Sequence, residues 1–312
     1  MPRVDVVVVS WNVRDDLVRC IESVNRSTGV GVHVVVVDND SADGSASVVQ
    51  QRHPEVNLVR NRENLGFARA TNQGIAMGES PMVLLLNPDT EVGPDSVAKL
   101  AGFLEEHPEY AAVAPRLIDP DGHVQHSAYR FPSIGISLLI GTGIAAVLPR
   151  VWRASLLLEG SWTSDVERDV PWVLGAALLV RRSALEQVGL LDESFHMYTE
   201  DLEWCDRAWR RGMPIRFLPS ATVVHAANRS GSQRYGANRT SAYLRSTMSF
   251  GRRRHGLLWT AVFYGVNAAA TTSRYGLYRL LNRLRPTPAR RYHAEFWAAY
   301  ARFYLGRTDR LS

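Results

Sequence analysis

Two predicted strands, each ending in acidic residues, constrain the fold of this chain most strongly. Residues 83–91 read VLLLNPDTE, in which an apolar run stops at an Asn-Pro-Asp triplet. Residues 32–44 read VHVVVVDNDSADG and repeat the pattern of a β-branched run followed by acidic residues. Such runs are typical of parallel strands covered on both faces, and open α/β sheets bind ligands at the carboxyl ends of their strands. Asp38 and Asp89 are therefore expected at the ligand-binding edge of a sheet.

Apolar periodicity predicts an α/β fold built on a doubly wound, mainly parallel sheet. Strands and helices alternate in the first third of the chain, which is the order of parallel strands joined by crossover helices. The predicted strands there are 4–10, 32–37, 56–60 and 82–86, and the predicted helices are 15–25, 45–52, 64–78 and 94–107. In the less regular part that follows, strands are predicted at 111–115, 170–180, 215–218 and 222–225, with helices at 183–188 and about 202–209.

Charge is distributed unevenly along the chain. Residues 251–312 contain 12 Arg and 2 acidic residues, a net charge of +10, whereas the remaining residues have a net charge of −5. A segment this basic is suited to an anionic surface. No recognised nucleic-acid-binding module accompanies it, so nucleic acid is not the expected partner. We expect an Arg-rich helical C-terminal extension.

An uncharged stretch at 131–149, FPSIGISLLIGTGIAAVLP, approaches the length of a membrane span. Pro132, the glycines and the hydroxyl groups argue against a span and favour an interfacial or acceptor-covering helix. Within it, GTGIAA at 141–146 matches the dinucleotide-binding pattern, but no βαβ pattern follows, so nicotinamide binding is not expected. The stretch is therefore predicted to contact lipid or acceptor without crossing a bilayer.

The sequence also indicates the cellular compartment. The first predicted strand begins at Val4, which leaves no room for a signal peptide. Cys20 and Cys205 are the two cysteines of the chain and do not imply a disulfide framework. A cytoplasmic protein is expected.

The acidic residues at the strand ends have both a structural and a functional interpretation. The residues from Asp38 onward could form a hydrophilic turn, or the Asp38 carboxylate could accept a hydrogen bond from the ring N–H of a pyrimidine. Asn87-Pro88-Asp89 could be a capping turn, or Asp89 could coordinate Mg²⁺ or Mn²⁺ that bridges a diphosphate. The residue types alone leave these alternatives open.

His225 and the pair Glu200-Asp201 form the second group of candidates. A lone histidine at a strand end is more often structural, but beside Asp89 it would be a natural further metal ligand and would suit Mn²⁺ better than Mg²⁺. Glu200 and Asp201 begin a predicted helix, where they could complement the helix dipole. One of them could instead be a general base, a role worth about 10²–10⁴-fold in rate.

Six segments in a fixed order together resemble the inverting GT-A glycosyltransferases of family 2. Each segment is modest alone, but the ordered set is specific and covers about residues 4–230. The segments are VVVVSWN at 6–12, VVVVDNDSADGS at 34–45, NLGFARATNQG at 64–74, LLLNPDT at 84–90, GAALLVRRSALEQVGLLDESF at 175–195 and TEDLEWCDRAWRRG at 199–212. The chain is most similar to the bacterial rhamnosyltransferase branch, which includes enzymes that add rhamnose to lipid-linked cell-wall precursors.

The resemblance implies roles for individual residues. The expected nucleotide-sugar-binding residues are Trp11, Asn12, Asp38, Asn64, Arg69, Asn87 and Asp89. Asp89 matches the last position of the family's DXD metal motif, and Asn87 stands at its first position, so one expected carboxylate is missing. Asp89 would then bind Mg²⁺ or Mn²⁺ together with His225. Asp201 matches the catalytic base, with Glu200 as its rival.

The implied reaction is a metal-dependent, inverting transfer from a nucleotide-diphosphate sugar. dTDP-rhamnose is the favoured donor, with UDP-linked galactofuranose or another hexose as the alternative. The expected acceptor is a hydroxyl of a glycan or of a polyprenyl-diphosphate-linked cell-wall or polysaccharide precursor. The implied organisation is a nucleotide-sugar-binding half at 1–115, an acceptor-binding and catalytic half at 116–250, and the basic extension at 251–312.

Other interpretations compete with this one. The extension could place the protein on the cytoplasmic face of the inner membrane, or its helices could pack on the catalytic domain or form a homodimer interface. A nucleotidyltransferase would also use strand-end carboxylates and a divalent cation, but Ser10-Trp11-Asn12 is not its usual basic, glycine-rich signature. A degenerate nucleotide-sugar-binding partner without activity is a further alternative, because Asn87 replaces a carboxylate.

Overall fold

The computed structural model describes residues 1–149, 152, 158, 165–195, 197–226 and 239–306. The chain folds as two compact units. The first combines residues 1–131 with 163–233, and the second combines residues 132–162 with 234–312. Every candidate site residue named above belongs to the first unit, so the site is described within that unit alone.

The elements alternate along the first unit as the periodicity predicts. The strands are β1 (Arg3–Ser10), β2 (Gly31–Asp38), β3 (Asn57–Arg60), β4 (Met82–Leu86), β5 (Thr90–Val92), β6 (Ala112–Ile118), β7 (Val124–Gln125), β8 (Ala128–Tyr129), β9 (Arg168–Asp169), β10 (Trp172–Val173), β11 (Ala177–Arg181) and β12 (Ile215–His225). The helices are α1 (Arg14–Asn25), α2 (Ser45–Arg52), α3 (Phe67–Ala76), α4 (Ser96–Glu106), α5 (Ile134–Thr142), α6 (Ile144–Val147), α7 (Arg182–Val188), α8 (Glu200–Arg210), α9 (Arg239–Leu284) and α10 (Pro288–Tyr304).

The main sheet has the strand order β3-β2-β1-β4-β11-β6-β12-β5. Strands β1 to β4 are parallel, and their register pairs Ser10 with Asp38 and Val8 with Leu86. Strand β11 is antiparallel to both of its neighbours, β4 and β6, whereas β6 and β12 are parallel. This confirms the predicted α/β fold with a mainly parallel sheet. It also brings the carboxyl ends of β1, β2 and β4 to one edge.

Three of the predicted strands are wrong in their boundaries. The predicted strand 170–180 is two strands, because β10 pairs with β8 in a separate two-stranded sheet and β11 belongs to the main sheet. The chain changes sheets at Leu174–Gly175, and an uninterrupted apolar run does not reveal such a change. The two strands predicted at 215–218 and 222–225 are the single strand β12, whose register with β6 shifts between Leu218 and Thr222.

Helix α3 approaches the sheet closely because its sequence is rich in small residues. Gly74 and its neighbours Ala70 and Thr71 are buried. A Cβ atom at Gly74 would clash with the Val7 side chain and lie 3.3 Å from Val37 Cγ2. Glycine at this position therefore sets how near the helix lies to β1 and β2.

A buried carboxylate, Asp5, lies within the apolar run of β1 and is 1% exposed. Its oxygens accept hydrogen bonds from the Ser80 backbone N–H and hydroxyl, both at 2.8 Å, and from the Arg182 guanidinium at 2.6 Å. Burial by itself would raise the pKa of Asp5, but these bonds and one with His33 outweigh it and lower the pKa. The network ties β1 to the segment before β4 and to the start of α7.

Both cysteines are free and buried. Burial raises the pKa of the Cys20 thiol to about 12 and also raises the pKa of the Cys205 thiol. Cys20 contacts the Asn87 carbonyl oxygen at 3.6 Å. These thiols are packing groups, since a thiolate is strongly disfavoured in both places.

The second unit contains α5, α6, α9 and α10. The uncharged stretch forms two short helices separated by Gly143, which has a φ of 81°. Helix α9 is broken at Gly256, whose φ of 86° and ψ of −178° are not helical. Next to this break, Leu257 is 66% exposed and Leu258 is 80% exposed. Within the described ranges, no helix is both long and apolar enough to cross a bilayer.

Candidate active site

Asp89 and His225 lie together in a buried corner of the first unit. Strands β5 and β12 are antiparallel, and their register pairs Thr90 with His225. The Ala226 backbone N–H donates to the Asp89 carbonyl at 2.9 Å, which closes the ladder beside the two side chains. His225 Nε2 is 3.5 Å from Asp89 Oδ1, and the two residues are 2% and 7% exposed. The structure thus brings together the two residues predicted to bind metal.

The Asp89–His225 pair fits a divalent cation. His225 Nε2 is buried and makes no hydrogen bond to any residue that the structure describes. An oxygen and a nitrogen 3.5 Å apart can both bind one ion, because metal–ligand bonds to small divalent cations are about 2.0–2.2 Å long. Carboxylate and imidazole together suit Mn²⁺, and the carboxylate alone suits Mg²⁺.

Asp201 and Glu200 stand at the start of α8 in different environments. Asp201 is partly exposed, and its carboxylate accepts hydrogen bonds from the backbone N–H groups of Gly175 at 2.9 Å and Leu202 at 2.8 Å. Glu200 is 6% exposed, and its Oε2 makes no hydrogen bond among the described residues. Burial, reinforced by the neighbouring Asp201 charge, raises the pKa of Glu200 to about 8. Burial also raises the pKa of Asp201, although the two backbone donors oppose this.

Residues 175–176 connect the turn that carries Asp89 to the Glu200–Asp201 pair. The Asn87 backbone N–H donates to the Ala176 carbonyl at 2.9 Å. The preceding residue, Gly175, donates its N–H to Asp201. The Asn87–Asp89 turn and Asp201 are therefore connected through two consecutive residues, at the carboxyl end of β4. The predicted metal ligand Asp89 and the predicted base Asp201 thus share one sheet edge.

Asp38 lies at the carboxyl end of β2 and is 4% exposed. Its Oδ2 accepts a hydrogen bond from the Ser41 backbone N–H at 3.2 Å. Its Oδ1 is buried and makes no hydrogen bond among the described residues. Burial raises the pKa of the Asp38 carboxyl, and the hydrogen bonds from Ser41 offset this only in part. An acceptor atom that lacks a donor is what the predicted contact with a nucleobase N–H requires.

Asn12 and Asn64 form hydrogen bonds that stabilise the loops near Asp38. Asn12, with a φ of 54°, accepts from the Ala42 backbone N–H at 2.7 Å and donates its own N–H to Ser41 Oγ at 3.0 Å. Asn64 Oδ1 accepts from the Gly66 backbone N–H at 3.0 Å. The side-chain oxygens of Asn12 and Asn64, two residues that were expected to line the nucleotide, each accept a hydrogen bond from a backbone N–H group.

Arg69 is exposed, and Trp11 is partly exposed, among the predicted nucleotide-binding residues. Trp11 follows directly on β1 and is partly exposed. The Arg69 side chain, on α3, is 57% exposed and lies 4.0 Å from Glu193 Oε2. Asn87 is also partly exposed, and its carbonyl oxygen accepts from the Thr90 hydroxyl at 2.6 Å.

Two residues that the sequence analysis did not select organise the site. Asn39 Oδ1 accepts from the Leu65 backbone N–H at 3.0 Å and from Asn61 Nδ2 at 3.0 Å, which joins the Asp38 loop to the segment before α3. Its place directly after Asp38 could have drawn attention to it. Gln125 contacts His225, and a separation of 100 residues in sequence leaves no local pattern for this contact.

Comparison with known proteins identifies the family of this chain. Residues 5–156 match the family model "Glycosyl transferase family 2", and residues 82–299 match "Glycosyl transferase family group 2". The chain is 35% identical, over 82% of its length and 86% of the relative's, to the N-acetylglucosaminyl-diphospho-decaprenol L-rhamnosyltransferase of Mycobacterium tuberculosis.

Solved structures share the fold. The mannosyltransferase PcManGT from Pyrobaculum calidifontis, in complex with GDP-Man and Mn²⁺, has a TM-score of 0.64 at 17% identity over 98% of this chain and 87% of that one. GalNAc-T7 with UDP, GalNAc and Mn²⁺ has a TM-score of 0.56 at 17% identity over 81% of this chain and 48% of that one. The chain therefore belongs to glycosyl transferase family 2 and is a rhamnosyltransferase-like glycosyltransferase of the GT-A fold.

Proposed function

We propose that this glycosyltransferase moves rhamnose from dTDP-rhamnose to a hydroxyl of a polyprenyl-diphosphate-linked glycan precursor, with inversion at the anomeric carbon. The observation that carries the proposal is the buried Asp89–His225 pair, joined through Gly175–Ala176 to the Asp201 carboxylate. The donor sugar and acceptor are those named for the 35% identical relative. In this proposal residues 1–115 bind the nucleotide sugar and residues 116–250 bind the acceptor and supply the base.

Asp201, in preference to Glu200, is proposed as the general base. Asp201 is partly exposed as a residue, and its carboxylate is held by two backbone N–H groups that stabilise its ionised form. Glu200 is buried, and its raised pKa keeps it protonated at neutral pH. A base must be both ionised and accessible to the acceptor hydroxyl, and the two backbone donors and partial exposure of Asp201 favour these two conditions.

The chemical step follows from one base and one displacement. Asp201 takes the proton of the acceptor hydroxyl, and the hydroxyl oxygen forms a bond to the anomeric carbon. The bond between that carbon and the diphosphate oxygen breaks, and the departing nucleotide diphosphate takes the electron pair. Attack from the face opposite the leaving group inverts the anomeric centre, because no covalent sugar–enzyme intermediate intervenes.

Asp89 and His225 would hold a divalent cation, Mn²⁺ or Mg²⁺, at the diphosphate. Such an ion, when bound, neutralises the negative charge that develops on the leaving diphosphate. Asn87 replaces a carboxylate of the family motif, so His225 supplies the ligand that complements Asp89. Removal of divalent cations with a chelator is expected to weaken donor binding.

The nucleobase is proposed to meet Asp38. The buried Oδ1 of this carboxylate would accept the ring N–H of thymine or uracil, since both pyrimidines carry a donor at that position. Asp38 therefore leaves dTDP and UDP as alternatives, and a UDP-hexose or UDP-galactofuranose donor is the second candidate. The relative is named as a rhamnosyltransferase, and dTDP-rhamnose is the rhamnose donor that the family resemblance implies, so dTDP is preferred here.

The second unit is proposed to contact the cytoplasmic face of the inner membrane. The exposed Arg252 and Arg253 precede the break in α9 at Gly256, and the exposed Leu257 and Leu258 follow it directly in sequence. Exposed apolar side chains near guanidinium groups are suited to bind an anionic bilayer. Each basic residue near such a surface contributes about 1 kcal/mol of binding free energy. A polyprenyl-linked acceptor would be presented at the same surface.

The deciding experiment is a transfer assay with purified protein. It combines dTDP-rhamnose, a short-chain polyprenyl-diphosphate-linked N-acetylglucosamine and Mn²⁺, with parallel reactions in UDP-galactofuranose, another UDP-hexose and GDP-mannose. A product that gains one rhamnose, with inverted anomeric configuration by NMR, is the expected result. Turnover with a UDP-sugar alone would keep the reaction class and replace the donor. Donor binding without transfer to any acceptor would favour the degenerate partner.

A further inference from the structure

Gln125 makes two hydrogen bonds to a single residue, His225. Its Nε2 donates to the His225 carbonyl oxygen at 2.6 Å, and its Oε1 lies 2.9 Å from His225 Nδ1. Strand β7, which carries Gln125, pairs with β6, and β6 pairs in turn with β12. The amide therefore spans from one strand of this sheet to the end of another, beside the Asp89–His225 pair.

These two contacts together determine the tautomer of His225. A carbonyl oxygen can only accept, so the Gln125 amide nitrogen must face the His225 carbonyl. The Gln125 oxygen then faces Nδ1 and can only accept, so Nδ1 must carry a hydrogen. A metal-binding imidazole is neutral and carries one N–H, which leaves the lone pair on Nε2. Nε2 is the atom that lies 3.5 Å from Asp89 Oδ1.

We propose that Gln125 is a positioning residue that holds His225 in the Nδ1–H tautomer, with Nε2 presented to the cation that Asp89 shares. Its two hydrogen bonds fix the tautomer of the imidazole and limit rotation of the ring, because the same amide binds both the ring and the backbone of His225. Partners of this kind, one step removed from a metal, typically contribute 10–100-fold to metal affinity. The inference rests on the proposed cation site.

The test compares Gln125→Leu, Gln125→Glu and a control, Val124→Ala, in the full chain. Leu removes the acceptor at similar volume, Glu keeps an oxygen that accepts from Nδ1–H, and Val124, 49% exposed on the same strand, carries neither contact. Mn²⁺ affinity is measured by electron paramagnetic resonance titration with dTDP present. We expect about 10–100-fold weaker binding in Gln125→Leu. Gln125→Glu should recover only part of this loss, because its second oxygen cannot donate to the His225 carbonyl, and Val124→Ala should bind as the wild type does.

A second measurement reads the tautomer directly. ¹⁵N NMR of histidine-labelled, metal-free protein, recorded at a pH where the His225 ring is neutral, is expected to show the Nδ1–H form in the wild type and a tautomer mixture in Gln125→Leu. The signal is assigned from a His225→Gln variant. Thermal unfolding without metal checks that each variant folds.

The outcomes separate this inference from the proposed function. Unchanged Mn²⁺ affinity and an unchanged tautomer in Gln125→Leu, with normal binding by the wild type, would overturn the role of Gln125 alone. Absence of Mn²⁺ binding by the wild type would overturn the cation site and this inference with it.

Discussion

Glu200 and Asp201 are neighbours in sequence, but their side chains differ in exposure and in hydrogen bonding. Asp201 has two backbone donors and access to solvent, whereas Glu200 is enclosed and its Oε2 has no hydrogen bond among the described residues. A carboxyl that stays protonated cannot take a proton from an acceptor. The two positions therefore support opposite expectations for the same kind of substitution.

We expect Asp201→Asn to retain nucleotide binding and to lose about 10²–10⁴-fold in kcat, because the amide cannot accept the acceptor's proton. Glu200→Gln should keep most of its turnover, since Gln resembles the neutral form of Glu200. Single-turnover rates and calorimetric nucleotide affinities of both variants make the comparison. Normal turnover by Asp201→Asn would contradict the assignment of the base.

Glu200 should also make stability depend on pH. Its folded pKa of about 8 lies above the ordinary glutamate value of about 4.3, so between these values the folded state holds a proton that the unfolded state has lost. Stability is therefore expected to fall as pH rises through this window, by at most about 1.4 kcal/mol per pH unit. Denaturant unfolding of wild type and Glu200→Gln between pH 5 and about 8 tests this. A difference between the two proteins that does not change with pH would contradict it.

At the level of secondary structure, the sequence predicts the first half well because its signals there are local. The valine runs of β1 and β2 and the leucine run of β4 mark buried strands, and each acidic strand end follows directly. The predicted pairing of Asp89 with His225 also depends on strand ends. Long-range contacts are a different matter. Asp5 is stabilised by Arg182, 177 residues away, and Gln125 orients His225 across 100 residues. No local periodicity encodes such contacts, just as none marks the change of sheet at Gly175.

The close packing of helix α3 on the sheet at Gly74 can be tested by substitution. Gly74→Ala is expected to lower the free energy of unfolding by about 1–3 kcal/mol, because the added methyl group clashes with Val7. Gly102→Ala, in α4, is the matched control, since nothing lies within 4 Å of its added Cβ. The control should gain about 0.5–1 kcal/mol from its higher helix propensity. Equal effects of the two substitutions on chemical denaturation would argue against a packing limit at Gly74.

For the whole molecule, the main asymmetry is electrostatic. The net charge of +10 at 251–312 stands against −5 in the rest of the chain. A segment this basic is expected to be the part of the chain that meets an anionic bilayer. Charge alone does not distinguish a membrane-binding surface from a homodimer interface. Substitution of the exposed Leu257 or Leu258 would weaken vesicle binding in the first case and self-association in the second.

We expect the full chain to bind vesicles that contain anionic phospholipid and to bind neutral vesicles weakly. Replacing Arg252 and Arg253 by Gln should weaken binding about 30-fold at low salt, since each basic residue contributes about 1 kcal/mol. Leu258→Asp should also reduce binding, and Leu190→Gln, at an exposed apolar position of the first unit, should not. Vesicle co-sedimentation measures the affinities. A change in the sedimentation coefficient of Leu258→Asp without a change in vesicle binding would favour a homodimer instead.

Because both native thiols are buried, the protein can be labelled at a single introduced cysteine. Neither Cys20 nor Cys205 presents an accessible thiolate, so the native chain should resist maleimide reagents while it stays folded. A cysteine introduced in place of Leu258 would then be the single reactive handle, and no background mutations would be needed. An environment-sensitive fluorophore attached there would report in real time when the broken helix reaches lipid, with the unmodified protein as its own blank.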